Sequence, residues 1–256
     1  MKPSHEFALF HPQLSSLVAD GKIPTVSCMI DDVELIHRMV HVLRLEDGQQ
    51  CVLFDRLWRG VFTVHTVNKK MVSGTITGIT NNIPLRPTIT YCVPLLKRDA
   101  LEQVLYALTE MGINTIQLID TQKIARAWTS KEFERAQRII IAAAEQSKYF
   151  SYPNLLSPIS FDAMLSNYMH SPAYKLYCDP DGKPLWHCLQ QVRTLKPTDI
   201  IIISGPEADL TREEKQRLQD YAVVFCALTP TILRAYQAIT LSAGVFRAAT
   251  SSIQSK

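Results

Sequence analysis

The sequence predicts an α/β protein, a parallel sheet flanked by helices, preceded by a small β-rich module. Three observations predict it. Asp199 leads into four consecutive isoleucines at 200–203, and a short β-branched run of this kind reads as a strand buried on both faces, the pattern of parallel sheets. Val223-Val224-Phe225-Cys226-Ala227-Leu228 reads as another buried strand and runs through Thr229-Pro230 into a helical stretch, so two strand–loop–helix units follow one another. Before residue 80 the texture differs: short alternating strands separated by polar turns, as in a small barrel.

In order, the first module (residues 1–80) opens with a strand over 24–30. Asp31 or Asp32 caps a helix in which Leu35, Ile36, Met39, Val40 and Leu43 recur at helical spacing. Asp47-Gly48 is a turn. Strands are expected over 50–55, 60–67 and 71–79, with Lys69-Lys70 as the polar turn between the last two. Residues 81–87, Asn81-Asn82-Ile83-Pro84-Leu85-Arg86-Pro87, form a linker that its prolines and asparagines hold extended. Over 88–256 strands alternate with helices, the βαβ signature. A strand over 88–93 is followed by a helix over 98–111 with Leu101, Val104, Leu105 and Leu108 on one face and Gly112 as its stop. A strand over 114–119 comes next, then a helix over 130–147 capped by Ser130, a loop over 153–158 and a helix capped by Ser160. A strand over 174–178 ends in the turn cluster Asp179-Pro180-Asp181-Gly182. Gly205-Pro206 stops the isoleucine strand, and Thr211 with Glu214 has capping-box spacing, so a helix starts at Arg212. A closing helix runs over 233–247, and 250–256 reads as frayed.

The chain has 256 residues, 46% hydrophobic and 20% charged, enough for one large domain or two modest ones with a real core. A net charge of +3 is compatible with nucleic acid without indicating it. The six cysteines, at 28, 51, 92, 178, 188 and 226, include no C-x-x-C pair, so no zinc site is expected and buried reduced thiols are the simpler reading. The first residues lack the apolar stretch of a signal peptide, and no run approaches the ~18 apolar residues of a membrane span. A soluble, cytoplasmic protein with no membrane partner is expected. His37 and His41 are four apart but belong to no H-E-x-x-H motif, so no metal is expected there. Gly205-Pro206 lacks the Gly-Lys-Ser/Thr ending of a P-loop, and no nucleophilic triad is recognisable. What remains is the carboxyl edge of the sheet, where α/β proteins bind ligands and where two successive loops can form a small-molecule pocket.

The order Pro94-Leu95-Leu96-Lys97, Glu110-Met111-Gly112-Ile113, Ala144-Glu145-Gln146-Ser147, Gly205-Pro206-Glu207 and Ile232-Leu233-Arg234, with Val42-Leu43-Arg44 and Asp47-Gly48 before it, resembles the RsmE family. Members of that family are uridine nitrogen-3 methyltransferases acting on small-subunit (16S) ribosomal RNA, and the resemblance spans nearly the whole chain. It implies a PUA-like, RNA-binding N-terminal barrel, a C-terminal SPOUT domain with a trefoil knot, a homodimer, and S-adenosylmethionine as cofactor. It places the cofactor among three loops: Leu176, Cys178 and Asp179; Ser204, Gly205, Pro206 and Glu207; and Ala227, Leu228, Thr229, Ile232 and Leu233. Backbone groups there can bind an adenine edge while Leu228, Ile232 and Leu233 sandwich the ring. Arg234 is the expected catalytic residue, a cation favouring the uridine anion; a bridge between loops or subunits is its alternative role. Glu207 and Asp209 either touch the ligand or brace their own loop. His37, His41 and Arg44 lie at i, i+4 and i+7 on one face of the N-terminal helix with Arg38 nearby; Arg38, His41 and Arg44, and Lys97 and Arg98 after a strand, are expected RNA contacts, with plain solvated cations as the alternative.

The chain departs from that family's pattern in its loops rather than its scaffold. Gly-Pro-Glu is followed there by two glycines and here by Ala208-Asp209. Leu-Arg is followed there by an acidic residue and threonine; here Tyr236-Gln237 follow Ala235. An arginine common after Glu-Gln is absent, with Tyr149 and Ser151 in that neighbourhood. The departures define the alternative reading, a catalytically degenerate RNA-binding or ribosome-assembly protein on the same fold. A methyltransferase with a different target is a third.

Overall fold

The computed structural model describes residues 7–18, 25–68, 70–123 and 127–250. The expected strand residue Pro24, the turn residue Lys69, the first six residues and the tail 251–256 lie outside the described residues. Two compact units are present, Met1–Ile83 with Ala144–Ser151, and Pro84–Ala143 with Tyr152–Lys256. No sequence signal marked the segment 144–151 as part of the first.

The first unit contains β1 (Ala8–Phe10), α1 (Leu14–Leu17), β2 (Thr25–Ile30), α2 (Val33–His37), β3 (Gln50–Phe54), β4 (Trp58–Val67) and β5 (Val72–Asn81). The strands form one sheet in the order β1-β3-β4-β5-β2. Phe62 and Val64 of β4 and Val72 and Ile76 of β5 point inward at alternate positions onto Leu35, Ile36 and Met39. The carboxylate of Asp32 caps α2 by accepting the Leu35 amide at 2.7 Å. The expected α-helix through Leu43 is not regular: a π-helical turn over Arg38–Val42 follows α2, and Arg44 sits at φ +52°. The helical face assumed for His41 and Arg44 therefore does not persist. β1 and α1 are too short for periodicity to announce them.

The second unit runs β6 (Thr88–Pro94), α3 (Arg98–Glu110), β7 (Thr115–Asp120), α4 (Ser130–Ser147, its residues from Ala144 counted in the first unit), β8 (Asn154–Ser160) and α5 (Phe161–Tyr168). It continues with β9 (Tyr174–Pro184), α6 (Leu185–Leu195), β10 (Asp199–Ser204), α7 (Arg212–Asp220), β11 (Val224–Ala227) and α8 (Ala235–Thr250). All pairs in the sheet β11-β9-β10-β6-β7-β8 are parallel. β10 is interior, and its isoleucines serve both faces: Ile200 and Ile202 pack with Tyr91, Leu105 and Phe246, while Ile201 and Ile203 pack with Phe161, Tyr177 and Leu218. The capping box of α7 forms, with the Glu214 amide donating to Thr211 Oγ1 at 3.1 Å and the Thr211 amide to Glu214 Oε2 at 2.7 Å. Gly112, at φ +69°, ends α3.

Four expectations are corrected. Thr129, not Ser130, caps α4, its Oγ1 accepting the Glu132 amide at 3.3 Å. The expected loop over 153–158 is largely the edge strand β8, where Pro158 is tolerated because the register against β7 shifts between Gln117 and Ile119. The cluster 179–182 does not end β9. Its register against β11 jumps from Tyr177↔Phe225 to Lys183↔Cys226, so these residues loop out and the strand resumes. Thr250 is not frayed; it closes α8 with its hydroxyl on the Phe246 carbonyl at 2.8 Å. The helix α6 had not been expected at all.

α8 is anchored by a buried cation. Arg247, 6% exposed, donates to the carbonyls of Pro87 at 2.8 Å and Gly112 at 2.7 Å and to Asn114 Oδ1 at 2.8 Å. Substituting Arg247→Met leaves these buried acceptors without that donor and is expected to destabilise the chain by roughly 3 kcal/mol. Urea melts of the two proteins check this. Among the described residues no helix is long and apolar enough to cross a membrane.

Candidate functional site

A cleft of about 870 Å³ opens at the carboxyl edge of the second unit's sheet. Four segments line it. The start of α3 contributes Lys97, Asp99, Ala100 and Gln103, and β9 contributes Cys178, where it still pairs with β10, and Pro180 in the excursion that follows. The turn after β10 contributes Gly205, Pro206, Glu207 and Asp209, and the approach to α8 contributes Ile232, Leu233, Arg234, Ala235 and Tyr236. The cleft lies here because parallel strands end at this edge and hand over to loops. The Arg234 carbonyl accepts the amides of Gln237 and Ala238, both at 3.0 Å, so the residue stands at the first turn of α8. Its side chain is exposed, and among the described residues no carboxylate pairs with it. Ile232, 85% exposed, leaves a large apolar side chain in solvent beside the cleft.

The expected site residues separate into those the cleft brings together and those it does not. Cys178, Gly205, Pro206, Glu207, Ile232, Leu233, Arg234 and Lys97 all line it. Leu176 is wholly buried in the core. Ser204 is 2% exposed, with its hydroxyl 2.6 Å from Tyr91 Oη, which also meets Ser242 Oγ at 2.8 Å. Its side chain is thus held in a buried hydroxyl network and does not line the cleft. Asp179 is buried and ion-paired with Lys215 at 2.7 Å. Ala227, Leu228 and Thr229 lead toward the lining segment without lining it; Leu228 packs on the core and Thr229 Oγ1 donates to the Thr231 carbonyl at 2.6 Å.

Arg98 lies in a separate groove with Trp128 and Arg135. Arg38, an expected RNA contact, is engaged within the first unit. Its guanidinium forks onto Glu145, donating to Oε1 at 2.8 Å, and the same Oε1 accepts the Phe10 amide at 3.0 Å. That partner lies 107 residues away, beyond the reach of local spacing. His41 and Arg44 are exposed on the first unit, where the His41 ring lies 5.2 Å from that of His37. Sequence reasoning missed Asp99, Ala100, Gln103, Ala235 and Tyr236, while Pro180 belongs to the first of the three expected cofactor loops. The first three follow directly on Pro94-Leu95-Leu96-Lys97, which leaves a strand at the same edge as the isoleucine unit; that adjacency was the available signal.

Burial pushes the hydroxyl of Tyr91 well above its ordinary pKa and pushes the Cys178 thiol up too, so neither supplies an anion at neutral pH. The buried network of Tyr91, Ser204 and Ser242 is neutral. The charged groups lining the cleft are Lys97, Arg234, Asp99, Glu207 and Asp209. Among the described residues no three His, Cys, Asp or Glu side chains converge as metal ligands. Such a lining offers charged and apolar groups side by side to a small-molecule ligand.

Residues 83–247 match the model of the RNA methyltransferase domain family. The chain belongs to this family. As an RNA methyltransferase domain protein it has relatives that agree in name. It is 24% identical over 219 residues to the ribosomal RNA small subunit methyltransferase E of Synechocystis, covering 84% of this chain and 67% of the relative. It is 27% identical over 217 residues to the Bacillus subtilis protein of the same name, covering 78% of this chain and 82% of the relative. The crystal structure of the Neisseria gonorrhoeae ribosomal RNA small subunit methyltransferase E bound to S-adenosyl methionine superposes with a TM-score of 0.80 at 22% identity, covering 95% of this chain and 98% of that one. The α/β fold with its parallel sheet is therefore the fold of that structure. The matched span begins within a residue of the division between the two units.

Proposed function

We propose that this methyltransferase moves a methyl group from S-adenosylmethionine to the ring nitrogen N3 of a uridine in small-subunit ribosomal RNA, acting in the cytoplasm as a homodimer. The observation that carries the reading is the cleft at the sheet's carboxyl edge with Arg234 exposed on its rim and, among the described residues, paired with no carboxylate. The residues fit the cofactor: the volume is in the range of small-molecule sites, and Pro206, Ile232 and Leu233 supply apolar faces beside polar Lys97 and Glu207. The Ala208-Asp209 departure does not fill the cleft, which argues against the degenerate alternative. S-adenosylmethionine supplies an activated methyl group when bound, so the chain's own task is to align and polarise. Arg234 faces the uracil and favours the anion left when N3 loses its proton. Lys97 on the rim, with His41 and Arg44 on the first unit, meets RNA phosphates. A second copy is supported by an apolar groove along α8 that Met111, Leu241, Gly244 and Val245 help to line.

Calorimetric titration with S-adenosylmethionine is expected to give micromolar binding, and incubation with small-subunit ribosomal RNA to place the methyl group on one uridine. A folded protein that takes up no cofactor at millimolar concentration overturns the reading.

A further inference from the structure

The turn after β10 is held by Asp209, which lines the cleft, together with Lys215 and Lys123, which do not. The Asp209 amide donates to the Pro206 carbonyl at 2.9 Å, and Asp209 sits at φ +59°, a conformation unfavourable to residues other than glycine but tolerated by aspartate. Its carboxylate is fully engaged. Oδ1 accepts the Leu210 amide at 2.8 Å and the Tyr177 hydroxyl at 2.5 Å, and Oδ2 lies 2.6 Å from Lys215 Nζ. Lys215, on α7, also reaches Asp179 Oδ2 at 2.7 Å, and the other Asp179 oxygen accepts the Asp181 amide at 2.8 Å. From a different direction Lys123 donates to the carbonyls of Ala208 at 2.7 Å and Leu210 at 3.3 Å. One ammonium thus joins the looped-out segment 179–182 to the turn 205–209, two of the four walls of the cleft. Lys215 itself does not line it.

We propose that Lys215 is a positioning residue: through the Asp179–Lys215–Asp209 bridge it fixes the spacing of these two walls and thereby sets the affinity for S-adenosylmethionine without itself lining the cleft. This rests on the proposed function. The burial of the three groups is graded. The side chains of Asp179, Lys215 and Asp209 are 3%, 24% and 48% exposed, so the Asp179 arm is the least screened by solvent. Without Lys215, two carboxylates face each other across the gap and the buried one loses its cation. Loss of Lys215 is therefore the more damaging change, and loss of Asp209 the lesser. Burial favours neutral Asp209, but Lys215 and Tyr177 hold its carboxyl below the ordinary value; burial opposes charge on Lys215, but the two carboxylates hold its ammonium above the ordinary value. Asp209 and Lys215 are therefore both charged throughout the neutral range.

The test compares wild type with Lys215→Met, Lys215→Arg and Asp209→Gly by calorimetry with S-adenosylmethionine, methyl-transfer kinetics, and hydrogen exchange of the amides in 178–182 and 205–210. Lys215→Met is expected to weaken cofactor binding at least tenfold, to raise KM for the cofactor far more than it lowers kcat, and to speed exchange in both segments at least tenfold. Lys215→Arg restores most of each. Asp209→Gly loses affinity although glycine suits the backbone there, and the double variant is no worse than Lys215→Met alone. Affinity unchanged in Lys215→Met, tighter binding by Asp209→Gly, or losses that simply add would each overturn the proposal. A wild-type protein that binds no cofactor overturns the proposed function and the affinity claim with it. Exchange then decides the bridge by itself, and segments that exchange alike in wild type and Lys215→Met remove it. Asp209→Gly carries the test should Lys215→Met fail to fold.

Discussion

Arg234→Ala is expected to lower the rate of methyl transfer at saturating cofactor about 100-fold or more, the loss typical of removing one preorganised charge or donor from a developing anion. Its affinity for S-adenosylmethionine should stay within a few-fold of wild type. The split follows from the side chain's place. Arg234 stands at the first turn of α8, exposed on the rim, with no carboxylate among the described residues to hold it. It is free to be used by the acceptor, and its removal leaves the apolar neighbours Ile232 and Leu233 in place. Arg234→Lys keeps the charge but loses the planar fork, so an intermediate rate is expected. A structural bridging role predicts the opposite pattern, a lowered melting temperature with little change in rate. Single-turnover transfer alongside thermal melts separates the two, and an unchanged rate in Arg234→Ala would remove the catalytic assignment.

Much of the scaffold was legible because its signals are local. The isoleucine run of β10 reports burial on both faces, and the structure provides two cores, one on each side. Thr211 and Glu214 are three residues apart and cap α7 as their spacing implies. What was not legible depends on distant partners. Pro153 and Pro158 read as a loop because local chemistry cannot say that a segment will be an edge strand with a shifted register. Asp179-Pro180-Asp181-Gly182 has the composition of a terminating turn, and only pairing with β11 on both sides of it makes it an excursion. The site divides in the same way. Backbone-defined positions such as Gly205, Pro206 and Arg234 reach the cleft because the strand ends place them there. Side chains such as Ser204, Asp179 and Arg38 were claimed by Tyr91, Lys215 and Glu145, each far away in sequence.

Gly182→Ala is expected to damage both stability and cofactor binding, because Gly182 lies where that excursion rejoins β9. A β-carbon there would overlap the Cys226 amide nitrogen and sit 2.5 Å from the Phe225 carbonyl carbon and 2.7 Å from its oxygen. These are backbone atoms, so no rotamer change relieves the contact; β11 itself must move. β11 pairs only with β9, and Cys226 is fully buried, so the movement opens the core beneath the edge of the sheet. A loss of roughly 3 kcal/mol is expected, the upper part of the range for overpacking. The same movement displaces the segment after Ala227, which carries Ile232, Leu233 and Arg234 into the cleft. Affinity for S-adenosylmethionine should therefore fall at least tenfold even at temperatures where the variant is folded. Gly48→Ala is the control. It has φ +80° and nothing within 4 Å of an added β-carbon, so it carries only a backbone penalty of about 1 kcal/mol and leaves cofactor binding unchanged. Urea melts and calorimetry on the pair decide the matter. A Gly182→Ala protein that melts and binds like wild type would mean that β11 does not hold the Arg234 segment in place, and the coupling between sheet edge and cleft would have to be abandoned.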